Sequence, residues 1–131
     1  AGKIIMLNDA DGKFTLPSIS SATPNDPTSP DQANNIGASF FFYVETAATD
    51  LDILTDGTAK FVGAALVAVD DGAKKAFVPA ASNDVITLNG STKGGIVGSV
   101  IKITAIDAAT YLVHDSLLLG SGTIVTPFAD A

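Results

Sequence analysis

Short apolar runs alternate with turn residues along most of this chain. From Ala38 onwards a turn signal follows about every eight to twelve residues, among them Asp56-Gly57, Asp70-Asp71-Gly72 and Asn89-Gly90. The runs between these turns are rich in β-branched and aromatic residues, which favour strands over helices. The pattern predicts a single all-β domain, an antiparallel β-sandwich or barrel of the jelly-roll or β-tulip type.

Residues 83–128 carry the clearest part of this pattern. The apolar runs Val85–Leu88, Ser99–Ile106 and Tyr111–Leu119 are separated by glycine-rich or short polar turns. Consecutive strands joined by short turns usually pair with each other. The sequence therefore predicts a β-meander here, ending before Pro127, which cannot donate a ladder hydrogen bond.

An unbroken apolar run, FFFYV, is predicted to be a strand. Alternation places Phe40, Phe42 and Val44 on one side of the strand. Phe41 and Tyr43 then lie on the other side. Because both sides are apolar, we expect both to be covered, by a second sheet or by another chain. These residues are therefore a candidate core or oligomer face.

The first residues form a separate unit in the pattern. The run Lys3, Ile4, Ile5, Met6 and Leu7 precedes turn residues 8–12, and a second short run follows at 13–16. Residues 1–16 are predicted to be either a hairpin or an extended N-terminal arm whose first run pairs with another chain.

Residues 17–35 interrupt the strand pattern with Pro17, Pro24, Pro27 and Pro30 among Ser, Thr, Asn and Asp. Proline lacks an amide donor and favours extended backbone in the residue before it. We predict an extended connector without a core of its own, either a surface loop or a strap across a neighbouring subunit. The β domain would then span residues 36–131.

The charged residues narrow the classes of partner. Thirteen Asp and one Glu stand against seven Lys and no Arg, which gives a net charge of -7. Nucleic-acid binding is not expected, because a phosphate-binding surface needs clustered Lys and Arg. The chain has no cysteine for a disulfide or a thiolate site. No apolar run reaches the roughly 20 residues of a membrane span, and the first residues lack a signal-peptide layout, so we expect folding in a cytosol and no membrane partner.

Side chains that often carry catalysis or bind metals are sparse. The chain has one histidine, His114, followed by Asp115 and Ser116. Neighbours on a strand point to opposite faces, so we expect His114 and Asp115 not to form the pair that a base and its orienting acid require. Acid pairs such as Asp50 and Asp52 are expected to be solvated turn residues. The sequence predicts no enzyme, no cofactor, and no catalytic or metal-binding residue.

The last part of the chain resembles a known family. The segments concerned are DVITLNGSTKGG (Asp84–Gly95), Gly98–Ile106, Tyr111–His114 and GSGTIVTPF (Gly120–Phe128). Over residues 61–128 they are similar to small head decoration, or cement, proteins of tailed bacteriophages, including cyanophages. The resemblance implies a virion structural protein, made in the bacterial host cytoplasm, that binds the outer surface of the capsid. It also implies a homo-oligomer, a trimer in preference to a dimer, that bridges major capsid subunits and stabilises the expanded shell.

Under this resemblance, the run Lys3–Leu7 is the candidate arm that adds a strand to the major capsid protein. The run Phe40–Val44 is the candidate oligomer face. Two alternatives remain open from the sequence: a structural component of a phage tail or baseplate, and a non-catalytic carbohydrate-binding or adhesion module.

Overall fold

A computed structural model describes residues 3–20 and 34–131 of the chain. Its strands, in chain order, are β1 (Ile4–Leu7), β2 (Lys13–Thr15), β3 (Ser39–Val44), β4 (Leu51–Leu54), β5 (Lys60–Gly63), β6 (Ala65–Val69), β7 (Lys74–Phe77), β8 (Val85–Leu88), β9 (Val100–Asp107), β10 (Thr110–Gly120) and β11 (Phe128–Ala129). They confirm the all-β prediction and form two sheets in a sandwich-like arrangement, not a closed barrel. None of the described residues belongs to a helix with the length and hydropathy that a membrane crossing needs.

The larger sheet has the strand order β1-β3-β9-β10-β6-β7, with β5 also paired to β10. Its centre is the antiparallel hairpin of β9 and β10, which turns at Asp107–Thr110 as the sequence predicts. This hairpin has the longest strands of the fold, and its inward side chains form much of the core.

The smaller sheet has the order β11-β8-β4-β2. β8 pairs with β4 and β11 here, and not with β9. The prediction of a three-stranded meander over residues 83–128 is therefore wrong for its first strand. The glycine-rich segment after β8 carries the chain from one sheet to the other, which the local sequence does not reveal.

The two N-terminal strands are split between the sheets. β1 pairs parallel with β3 in the larger sheet, and β2 pairs parallel with β4 in the smaller one. They do not form the hairpin that was one reading of residues 1–16, and both sheets are mixed where antiparallel pairing was expected. β1 and β2 are thus each paired with a strand of residues 36–131. The predicted boundaries between arm, connector and β domain, at 16/17 and 35/36, stay predictions.

The core lies between the sheets and is filled by alternate residues of their strands. Burial of large apolar side chains is the main favourable term in folding, at about 1.5–3 kcal/mol for each one fully removed from water. The fully buried large residues include Tyr111, Phe42, Phe61, Leu16, Ile53, Ile86, Leu88, Ile101, Ile103 and Leu118.

β10 is interrupted by a β-bulge. Its register with β9 shifts between His114 and Leu117, and Asp115 has a φ of 45°. Asp tolerates this left-handed conformation better than most residues. The extra residue lets β10 bend between the part that pairs with β5 and the part that pairs with β6.

The chain opposite the bulge is bent as well, at Gly63 and Ala64 between β5 and β6. The Ser116 hydroxyl bridges this bend, since it donates to the Ala64 carbonyl (3.3 Å) and accepts from the Leu66 amide (3.2 Å). The bulge in β10 thus lies opposite the bend between β5 and β6. The Ser116 side chain bonds the backbone carbonyl of Ala64 and the amide of Leu66, which the strand ladder leaves unbonded there.

The predicted proline-rich connector lies largely outside the described residues, which omit 21–33. The two ends of that segment are joined by Asn35. Its side chain accepts from the Ser20 amide (2.7 Å) and donates to the Ser18 carbonyl (3.0 Å), and its own amide donates to the Ser20 carbonyl (3.1 Å). The described residues on either side of the omitted segment therefore lie next to each other.

Asp84 is a buried carboxylate at the start of β8. Lys60 donates to its Oδ2 at 2.7 Å, and the Ala131 amide donates to its Oδ1 at 2.8 Å. The hydrogen bond from Lys60 lowers the pKa of the Asp84 carboxyl, against an opposing effect of burial. The pair connects β5, β8 and the residues that follow β11.

We expect Asp84→Asn to lower the free energy of unfolding by about 1–3 kcal/mol at neutral pH, because it removes a charge-assisted pair. A carboxyl whose folded-state pKa is depressed stabilises the fold above its unfolded-state pKa of about 3.9, and this contribution is lost as the pH falls through the folded-state value. Urea unfolding at about pH 7 and about pH 3 should thus show a smaller difference between variant and parent at the lower pH.

The matched control is Asp70→Asn, at an exposed position in the turn after β6. It should change stability little at either pH. An Asp84→Asn loss of equal size at both pH values would mean that the carboxylate charge is not what Lys60 stabilises.

Candidate interaction surface

The larger sheet turns one side to the core and the other to solvent; we call the second side the outer face. In β3, Phe42 and Val44 are buried and Phe40 packs against the core. Phe41 and Tyr43 lie on the outer face and are partly exposed. The smaller sheet covers the side of β3 that holds Phe40, Phe42 and Val44, as expected. The predicted oligomer face at FFFYV stays a prediction, and it concerns the outward pair.

Side chains cross the outer face in rows set by the strand register. The residues of a row lie directly beside one another in the register of β1, β3, β9 and β10, and β5 continues the third row. The first row is Ile4, Phe41, Lys102 and His114; the second is Met6, Tyr43, Val100 and Leu117; the third is Ser39, Thr104, Leu112 and Val62.

Most of these side chains are apolar and several are well exposed. Ile4 is 57% exposed, Met6 48% and Leu117 40%. Val62 and Ile106 extend the apolar surface on the same face. Isolated exposed apolar residues are ordinary, but a contiguous patch of them marks an interaction surface on a soluble protein. The outer face is therefore the candidate functional surface.

A chain of polar side chains lies among these residues. Ser39 Oγ is 2.8 Å from Thr104 Oγ1, which is 2.8 Å from His114 Nε2, and His114 Nδ1 is 3.2 Å from Asp115 Oδ2. The expectation that His114 and Asp115 do not pair is thus wrong. The bulge turns Asp115 out of strict alternation and brings its carboxylate to the ring.

The order hydroxyl, imidazole and carboxylate is also that of a nucleophile, a base and an orienting acid. Here the hydroxyl in contact with the imidazole belongs to Thr104, which lies within the central strand β9. The more exposed hydroxyl, of Ser39, is one hydrogen bond further from the base. The arrangement connects polar groups across three strands, and a neutral imidazole with its proton on Nδ1 satisfies both of its contacts.

An open cleft of about 380 Å³ lies at one end of the first row, where β1 meets β3. Its lining residues are Lys3, Ile4, Ser39, Phe41 and Lys102. The Lys102 ammonium stands 5.8 Å from the centre of the Phe41 ring, within the range of a cation–π contact. The cleft combines two cations, a hydroxyl and an apolar floor.

The candidate arm residues lie at the margin of the outer face. Leu7 is buried and Ile5 packs against the core. Ile4 and Met6 point to solvent, and Lys3 lines the cleft. In the structure this run is therefore a strand of its own domain, and its binding to a capsid subunit stays a prediction.

Sequence reasoning found the apolar half of this surface and missed the polar half. Alternation along β9 puts Lys102 and Thr104 on one side, which is readable from the sequence. Their neighbours Ser39 and Phe41 are more than sixty positions away, as the 65-residue separation of the Ser39–Thr104 contact illustrates. That neighbourhood depends on strand pairing, for which the local sequence holds no signal.

Within residues 3–20 and 34–131, no three His, Cys, Asp or Glu side chains converge in a way that could hold a metal ion. The acid pair Asp50 and Asp52 lies at β4, where Lys13 approaches Asp52 at 3.9 Å. Comparison with family models, with curated proteins and with solved structures gave no match to this chain.

Proposed function

We propose that this protein is a virion structural protein that decorates the outer surface of a phage head and stabilises the expanded shell by bridging major capsid subunits. The observation that carries the proposal is the apolar outer face, a surface suited to binding other protein. The resemblance of residues 61–128 to head decoration proteins suggests the partner. The proposed role requires no side chain to perform a reaction.

The mechanism rests on multiplicity. Each copy contributes its outer face and the strand β1, and the copies form a homo-oligomer, a trimer in preference to a dimer. Many modest contacts repeated over a shell add up to high avidity without any one contact being strong. Apolar surface removed from water supplies the affinity, at roughly 25 cal/mol per Å² before the costs of ordering.

Quantitative mass spectrometry of purified virions tests the assignment. A decoration protein should be present in an amount close to that of the major capsid protein. A few copies per particle would identify a tail or baseplate component in its place, and absence from the particle would end the proposal.

A paired variant tests the surface. Met6→Asp with Leu117→Asp places two charges on the exposed apolar part of the outer face. We expect binding to expanded shells that lack the protein to weaken at least about tenfold, because each carboxylate must be desolvated in the interface. Co-sedimentation with such shells measures it.

The matched control is Val78→Asp, at an apolar position after β7 that is 75% exposed and belongs to none of the three rows. It should bind as the parent protein does. Unfolding midpoints near the parent value for both variants would establish that they are folded, and equal shell binding by both would exclude the outer face as the contact.

A further inference from the structure

Among the strands of residues 3–20 and 34–131, none covers the outer backbone edge of β1. The Leu7 carbonyl accepts from the Glu45 and Thr46 amides, so the backbone groups of Leu7 and, by alternation, Ile5 point towards the β3 side. Those of Ile4 and Met6 point away from the sheet. β1 is the last strand on this side of the larger sheet, so these donors and acceptors face outwards.

Most other strands at the sheet margins are charged or very short, and the side of β5 away from β10 has a bond from the Phe61 amide to the Asn83 carbonyl. β7 carries Lys74 and Lys75, β2 is three residues long and begins with Lys13, and β11 is two residues long. Charged or very short edge strands are the usual means of preventing edge-to-edge association. β1 has the apolar sequence IIML over its full length.

The cleft beside this edge has positive charge in a protein of net charge -7. Lys60 lies beside Asp84, and Lys13 lies beside Asp52. Within the described part of the chain, Lys3 and Lys102 have no such acidic partner, and both line the cleft. These two cations without acids, Lys3 beside the open edge and Lys102 two strands further into the sheet, are complementary to an acidic, extended segment.

We propose that the edge of β1 and the adjoining cleft form a docking site for an extended peptide segment that carries carboxylates. The segment adds a strand to the larger sheet through the outward groups of Ile4 and Met6. Its alternate side chains that lie on the outer face place carboxylates near Lys3, and Lys102, which reaches over the Phe41 ring, adds positive charge at longer range. Backbone hydrogen bonds give the affinity of such an added strand, and the side-chain contacts give its specificity.

The inference rests on the proposed function only for the source of the segment, which in a virion is the major capsid protein. The docking chemistry itself can be tested on the isolated protein. The probe is a capped peptide of about six residues, the usual length of a strand, in which Val alternates with Asp. Its matched control has Lys in place of each Asp.

Amide NMR shifts measured during titration report both affinity and place. The acidic peptide should bind and shift the amides of residues 4–7 and 102, and the basic peptide should not. Lys3→Ala with Lys102→Ala should weaken binding about tenfold, and added salt should weaken it further for the parent protein. The control variant, Lys74→Ala with Lys75→Ala on the β7 edge, should leave affinity unchanged.

A different result would overturn the inference. Equal affinity for the two peptides, absence of binding, or shifts centred on β7 or β2 would each exclude an acidic strand at β1. So would sedimentation data showing a dimer formed through β1 that excludes the peptide. If the Lys3→Ala, Lys102→Ala variant bound shells normally while the Met6→Asp, Leu117→Asp variant did not, the decoration proposal would stand and this inference would fail.

Discussion

Gly63→Ala is expected to destabilise the fold by about 4 kcal/mol or more, a loss at the extreme of what single substitutions cause. Gly63 has a φ of 95°, and a Cβ added there would lie 2.2 Å from the Val113 carbonyl oxygen. That oxygen belongs to β10, the strand that holds both β5 and β6, so it cannot move without breaking the ladder. Positive φ and backbone overlap therefore act together.

Gly57→Ala separates the two causes. Gly57 has a φ of 92°, and an added Cβ there would meet no atom within 4 Å. Only conformational strain remains, for which we expect about 1–2 kcal/mol. Urea unfolding of both variants gives the comparison, and similar losses would show that close packing at the bend between β5 and β6 is not required.

Phe42→Ala and Phe41→Ala should affect different properties of the protein, although the residues are adjacent. Phe42 is fully buried, and its ring meets that of Phe14 edge-on at 5.0 Å. Truncating such a side chain typically costs about 3–5 kcal/mol, because it leaves a cavity as well as losing burial. Thermal or urea unfolding should show this loss directly.

Phe41 lies on the outer face, where truncation removes partly exposed surface and the contact with Lys102. We expect about 1 kcal/mol of stability to be lost, together with a clear loss of shell binding. A Phe41→Ala variant as unstable as Phe42→Ala would contradict the division of β3 into a core side and a solvent side.

The sequence was sufficient for the all-β class, for the approximate position of many strands, and for the division of FFFYV into two sides. Turn residues marked the ends of most strands, and alternation separated Phe42 from Phe41, although it did not indicate which of the two faces the core. Both signals are local, because they depend on backbone propensity and on the two-residue period of a strand.

Strand partners were not predictable in the same way. The period of two fixes which side of a strand is buried, but not which strand lies beside it. β8 therefore looked like the first strand of a meander and pairs instead in the other sheet. The parallel pairing of β1 and β2 is decided by contacts between residues far apart in the chain.

The prediction that His114 and Asp115 do not pair was wrong for a further reason. A β-bulge shifts the alternation of side chains by one residue, and nothing in the sequence around position 115 indicates the bulge. Only part of the candidate site could therefore be predicted from the sequence. The apolar positions on one side of each strand follow from alternation, while the cleft at Lys102 and the polar chain through Thr104 depend on long-range strand pairing.

The hydrogen bonds that Asn35 makes to Ser18 and Ser20 also bear on how this protein can be engineered. Because they join the two ends of residues 21–33, foreign sequence inserted between those ends need not alter where either sheet begins. Doubling the number of residues between two fixed points of a chain costs only about 0.6 kcal/mol more. An epitope or a fluorescent label fused between Ser20 and Asn35 would accordingly be held by two points of the chain that the domain already keeps together.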